Sequence, residues 1–128
     1  MSLFLLLAAV TAAPTFSCTP TQVADAGGPI VCAEGPKVRL AGIATRPVNG
    51  TCEAGAPCPA ASGAAARDRL VLAIAGAPLQ CATVANSSAY TLATCSAGKT
   101  DLGCLMVYEG FAVPWADLGG ARRCSAIL

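Results

Sequence analysis

The stretch that decides the fold is Lys37–Thr45, KVRLAGIAT. Val38 and Leu40 alternate with Lys37 and Arg39, the period of a strand with one apolar and one polar face. Gly42 then offers a bend before Ile43. A charge in mid-strand is costly to bury, so Arg39 is expected to face solvent or an anion. Which of the two applies depends on what the rest of the chain brings to it.

Upstream, Thr19–Asp25 reads as a first strand, Ala26–Gly28 as a turn, and the short β-branched run Pro29–Cys32 as a second strand. Glu34-Gly35-Pro36 is a turn signal, so Lys37–Ile43 becomes the third strand. Downstream, Arg46 to Pro59 is rich in Pro, Gly and Asn and reads as a loop. Ala60–Ala75 then places Ala66, Leu70, Ala73 and Ile74 at helical spacing, with Ser62 to cap its start and Gly76 and Pro78 to end it. A hairpin of Leu79–Val84 and Tyr90–Cys95 follows, then a turn at Gly98–Thr100. A second short helix carries Leu102, Leu105 and Met106 and stops at Gly110; Phe111–Val113 and Trp115 read as core or helix-flanking residues. The tail 116–128 has no firm period. Five short strands with a helix after the third and a short C-terminal helix predict a mainly β, α+β fold, an OB-type barrel.

Length and composition narrow the function. At 128 residues the chain is one domain. Leu3–Val10 is apolar and followed by small residues, which suits a signal peptide over residues 1–13 and is too short for a membrane span. Thr15-Phe16-Ser17 is a poor lipobox, so Cys18 is not expected to carry a lipid. The formal net charge is +1, whereas binders driven by phosphate contacts are usually far more basic. There is no His, which removes the commonest general base and the commonest zinc ligand.

Eight cysteines in an exported chain point to disulfides. Cys81 and Cys95 are equidistant from Ser88 in the turn of the expected hairpin, so their sulfurs should meet across it. Cys18 and Cys32 are likewise centred on Asp25. Cys52 and Cys58 close the Gly/Pro loop, leaving Cys104 and Cys124 to tie the second helix to the tail. With no CxxC pair and no His, a metal centre built on these cysteines is not expected. A secreted or periplasmic monomer is the expectation.

VRLAGI at Val38–Ile43, AGAPLQC at Ala75–Cys81, LATC at Leu92–Cys95 and GKTDLGCLMVYEGFAV at Gly98–Val113 together resemble the thermonuclease (staphylococcal nuclease-like) domain. The similarity is to its exported, cysteine-bearing bacterial members, runs from about Gln22 to Trp115 within a domain of residues 19–115, and implies an OB barrel. The family hydrolyses phosphodiester bonds in DNA and RNA with Ca²⁺, two arginines and a glutamate. Carboxylates hold the hard cation, the cation and arginines balance charge on the phosphoryl group, and the glutamate helps activate water.

Position by position, the resemblance implies a degenerate site. The metal-binding DGDT pattern falls on Ala26-Gly27-Gly28-Pro29, putting Gly28 where the first aspartate belongs. In the pattern RLxGIDAPE, Arg39 matches the first catalytic arginine. The second metal aspartate corresponds to Ala44, and the glutamate to Pro47, or to Val48 with a one-residue slip. The second arginine corresponds to Tyr90. Groups that act as a unit leave little catalysis when several are lost.

Three functions follow as expectations. The first is a non-catalytic exported nuclease-like protein with a binding or structural role, no cofactor, and Arg39 and Tyr90 as the remnant site. The second is an active Ca²⁺-dependent nuclease whose ligands have moved, with Asp25, Glu34 and Glu53 around Arg39 and Arg46. The third is a nucleic-acid or oligosaccharide binder, for which two Tyr, three Phe and one Trp make a sparse stacking surface. Asn49-Gly50-Thr51 and Asn86-Ser87-Ser88 are glycosylation sequons that matter only in a eukaryotic secretory route. Arg122-Arg123 reads as a solvated pair.

Overall fold

The structure, a computed structural model, describes residues 13–124. The expected signal segment therefore lies outside the described residues up to residue 12, as does the end of the tail. Among the described residues, nine strands and two helices follow one another. They are β1 (Thr15–Cys18), β2 (Pro20–Val23), β3 (Ile30–Cys32), β4 (Lys37–Leu40), β5 (Ile43–Thr45), α1 (Gly63–Ile74), β6 (Leu79–Asn86), β7 (Thr91–Ala97), β8 (Thr100–Asp101), α2 (Leu102–Tyr108) and β9 (Ala112–Pro114).

The main sheet has the order β1-β6-β7-β4-β3-β2, with β8 added on β7. Every pairing is antiparallel except β4 with β7. The two ends of this order, β1 and β2, are separated in the chain by Thr19 alone. A sheet whose opposite ends are consecutive chain segments must curl, and this one does.

The expectation of five strands is corrected to nine. The expected first strand begins earlier and is broken, because Thr15–Cys18 pairs with β6 while Pro20–Val23 pairs with β3. Pro20 lacks an N–H and the register shifts between Pro20 and Gln22, so one straight strand cannot serve both partners. The expected third strand also divides. Gly42, at φ 74°, turns the chain after Leu40, and Ile43–Thr45 leaves the main sheet to pair with β9. Ala112 and Val113, expected as core or helix-flanking, thus join Pro114 in a strand.

Local signals place both helices. The Ser62 hydroxyl accepts the Ala65 N–H at 3.1 Å at the start of α1, and Ala75 in the left-handed region closes its end. Asp101 caps α2 by accepting the Cys104 N–H at 2.9 Å. On α1, Ala66, Leu70 and Ile74 are buried at i, i+4 and i+8, the inward stripe of an amphipathic helix. They meet Val38, Leu40, Ile30, Leu79, Leu102 and Met106 in one core. Val38 and Leu40 are buried while Lys37 is exposed, as the alternation requires. Each fully buried aliphatic side chain of this size contributes about 1.5–3 kcal/mol.

Four disulfides join Cys18–Cys32, Cys52–Cys58, Cys81–Cys95 and Cys104–Cys124. Cys81 and Cys95 are direct partners in the β6–β7 register, with Cα atoms 4.1 Å apart. Such a set forms and persists in an oxidising environment. Among the described residues, no helix is long and apolar enough to cross a membrane.

Candidate functional site

Burial of Val38 and Leu40 directs the intervening Arg39 to the other face of β4. There it enters a cleft of about 310 Å³ lined in part by Asp25, Gly28, Ala44, Pro47, Glu53, Tyr90 and Trp115. These residues come from separate pieces of chain. The turn before β3 brings Asp25 and Gly28, β5 and the loop after it bring Ala44, Pro47 and Glu53, and the end of the β6–β7 hairpin brings Tyr90. The five positions that the nuclease resemblance singles out, Gly28, Arg39, Ala44, Pro47 and Tyr90, all line this cleft.

Arg39 is not free within it. Its Nη2 donates to Glu53 Oε2 at 2.8 Å, and its guanidinium carbon lies 5.6 Å from the centre of the Tyr90 ring. The cation is thus shared between a carboxylate and a ring face, an arrangement favoured by the ring quadrupole. The Arg39 side chain is 28% exposed and that of Glu53 52% exposed, so water screens the pair.

Gly28 has φ +116°, and a Cβ built there would lie 2.5 Å from the Val38 carbonyl oxygen and 3.1 Å from Arg39 Cα. The turn is pressed directly on β4, where the Leu40 N–H donates to Gly27 O at 2.8 Å. An aspartate cannot occupy this position as the backbone stands. Ala44 is buried and offers only a methyl group. The Val48 N–H, one residue after Pro47, donates to Asp25 Oδ1 at 2.6 Å, which draws the loop after β5 onto the turn.

Of the five residues proposed as relocated ligands and arginines, three meet. Asp25, Glu53 and Arg39 line the cleft. Glu34 instead accepts the Thr19 N–H and hydroxyl, both at 2.8 Å, at the junction of β1 and β2. Those bonds, the backbone one foremost, hold its carboxyl below the ordinary value. Arg46 is spent on its own loop, with Nε donating to Pro59 O at 3.1 Å and Nη1 to Gly50 O at 2.9 Å.

A calcium site of the kind that the nuclease resemblance implies does not fit these residues. Ca²⁺ takes six to eight oxygens, whereas Gly28 and Ala44 supply no side-chain oxygen. Asp25 and Glu53 each already accept a hydrogen bond from the protein. Among the described residues, no group of three or more His, Cys, Asp or Glu side chains could hold a metal ion.

Trp115 is the aromatic residue of the cleft that sequence reasoning did not assign to the site. Its backbone N–H donates to Gly42 O at 2.8 Å, and its side chain packs on Ala41, Leu92 and Leu118. Tyr90 packs on the same small cluster. A lone tryptophan just past the last apolar run was the available signal, but its neighbours arrive from distant segments. In comparisons with known proteins, no protein-family model matches this chain and no curated protein matches it.

Proposed function

We propose that this is a secreted or periplasmic protein built on a thermonuclease-type OB barrel, whose cleft binds an anionic group through Arg39 and Tyr90 without hydrolysing phosphodiester bonds. The observation that carries the reading is the convergence of Gly28, Arg39, Ala44, Pro47 and Tyr90 on one cleft. Positions far apart in sequence, assigned to one site by resemblance alone, gather as that resemblance requires. Three of them, Gly28, Ala44 and Pro47, carry no carboxylate where the family's chemistry needs one.

The strand order supports the barrel. Counted as one bent strand, β1 and β2 reduce the sheet to the circular order 1-4-5-3-2-1, the layout of an OB fold. Four disulfides support export to an oxidising compartment. The arginine flanked by a ring face supports binding of a phosphate or similar oxyanion.

A second reading, a Ca²⁺-dependent nuclease with moved ligands, rests on Asp25 and Glu53 sharing the cleft with Arg39. A Ca²⁺ zymogram separates the two. The proposed function predicts no clearing of a DNA gel, together with weak, salt-sensitive phosphate binding that Arg39→Ala abolishes. Clearing that disappears in Arg39→Ala would establish the second reading instead.

A further inference from the structure

Among the described residues, two arginine–glutamate pairs join distant segments, and they differ in kind. Arg69 holds Glu109 with two hydrogen bonds, Nε to Oε1 at 2.6 Å and Nη2 to Oε2 at 2.8 Å, and ties α1 to the end of α2. Arg39 holds Glu53 with one, at 2.8 Å, and Glu53 is the more exposed carboxylate. A two-point fork fixes geometry, whereas a one-point contact leaves the guanidinium with unused donors. The first pair is a clasp; the second can be displaced.

Glu53 is also delivered by an organised strap. Arg46 bonds the carbonyls of Gly50 and Pro59, and the Asp25 carboxylate holds Val48. The Cys52–Cys58 disulfide closes the strap immediately beside Glu53. A carboxylate held this way competes as if at about millimolar concentration, the range for short tethers.

We infer that Glu53 is a tethered plug that occupies the anion position on Arg39, so that an incoming oxyanion must displace it before binding the cleft. The inference rests on the proposed function, since it concerns regulation of the same site. An exposed single-point pair is populated only a few-fold over its open form. The plug should therefore weaken anion binding roughly two- to sixfold, in proportion to the fraction of open cleft. Loosening the strap by removing the Cys52–Cys58 bridge should act in the same direction as removing the carboxylate.

The test uses the full chain, native and Glu53→Gln, with two readouts. Phenylglyoxal labelling of Arg39, followed by peptide mass spectrometry, reports access to the guanidinium without any ligand. Titration with inorganic phosphate reports binding. Labelling and affinity that both rise two- to sixfold in Glu53→Gln support the plug. Equal Arg39 labelling in the two proteins overturns the plug, whatever phosphate does. Faster labelling with no phosphate binding to either protein overturns the anion-binding reading and the regulatory role with it. Should Glu53→Gln fold poorly, the Cys52→Ser/Cys58→Ser double variant carries the same comparison, and unchanged labelling there overturns the strap.

Discussion

The carbonyl oxygen of Gly42 accepts the Arg122 N–H at 3.0 Å, so the bend that ends β4 is also the dock for the C-terminal tail. Trp115 donates to the same oxygen, and the Gly42 N–H donates to Leu118 O. Beyond it, Arg122 pairs with Asp101, the cap of α2, and Cys104–Cys124 closes the connection. The described part of the tail, which forms no helix or strand of its own, is thereby held at several points.

Gly42→Ala should release that dock. Its φ of +74° disfavours a side chain, and a Cβ would lie 2.4 Å from Gly120 O and 2.8 Å from the Arg122 nitrogen. The expected loss is at least about 1–3 kcal/mol, from the backbone conformation alone. Chemical denaturation measures it, and faster proteolysis beyond Trp115 should accompany it. An unchanged midpoint would show that the tail contributes nothing at this contact.

Introducing aspartates at the two positions that the nuclease resemblance assigns to metal ligands should not create a metal site. In Gly28→Asp/Ala44→Asp, the side chain at 28 collides with the Val38 carbonyl, 2.5 Å from the built Cβ. The double variant should unfold at lower temperature than the native chain and show no Ca²⁺-dependent melting shift. A clear upward shift with Ca²⁺ would mean that the turn before β3 can move off β4.

The hairpin disulfide should matter more than the strap disulfide for stability. Cys81–Cys95 spans a sequence separation of 14 and Cys52–Cys58 one of 6, and restriction of the unfolded chain grows with loop length. Cys81→Ala/Cys95→Ala should cost about 3 kcal/mol in urea unfolding. It also removes buried sulfurs from the core, since Cys81 and Cys95 are both buried. The Cys52→Ser/Cys58→Ser pair should cost less, because the strap lies at the surface.

Acid should destabilise the fold through Glu34 and Glu109. Bonds from Thr19 hold the Glu34 carboxyl below its ordinary 4.5, and the hydrogen bond from Arg69 does the same for Glu109. On acidification the unfolded chain therefore takes up these protons before the folded one does. Their stabilisation is complete above the ordinary carboxyl value and is lost as pH falls through the depressed folded values. Glu34→Gln should flatten the stability profile between about pH 5 and 3, where carboxyls titrate, relative to the native chain. A profile that stays parallel to the native one would show that the Thr19 bonds persist on protonation.

Much of the framework was legible in residues close in sequence. The alternation of Lys37–Leu40, the Ser62 and Ala75–Gly76 boundaries of α1 and the start of α2 reflect free energies set within a turn or a short strand. The Cys81–Cys95 pair was legible because it is centred on a hairpin turn, so that the β6–β7 register itself brings the sulfurs together, whereas Cys18 meets Cys32 across the break between β1 and β2.

The number of strands was not legible in this way. Thr15–Cys18 is a strand because β6 lies beside it, more than sixty residues later, and Ile43–Thr45 leaves the main sheet because β9 is there to receive it. Pairing of this kind depends on a partner edge, and a run of four residues carries little preference of its own.

The candidate site divides along the same line. The chemical groups on offer were readable from the residues alone: an arginine on a strand, no His, and no carboxylate at positions 28, 44 and 47. Packing of the separate segments brings those positions into one cleft, closes Gly28 to any side chain, and lets Glu53 rather than Glu34 reach Arg39. The physical reason is that composition limits what chemistry is available, while distance, backbone collision and competition among partners arise only when separate segments pack together.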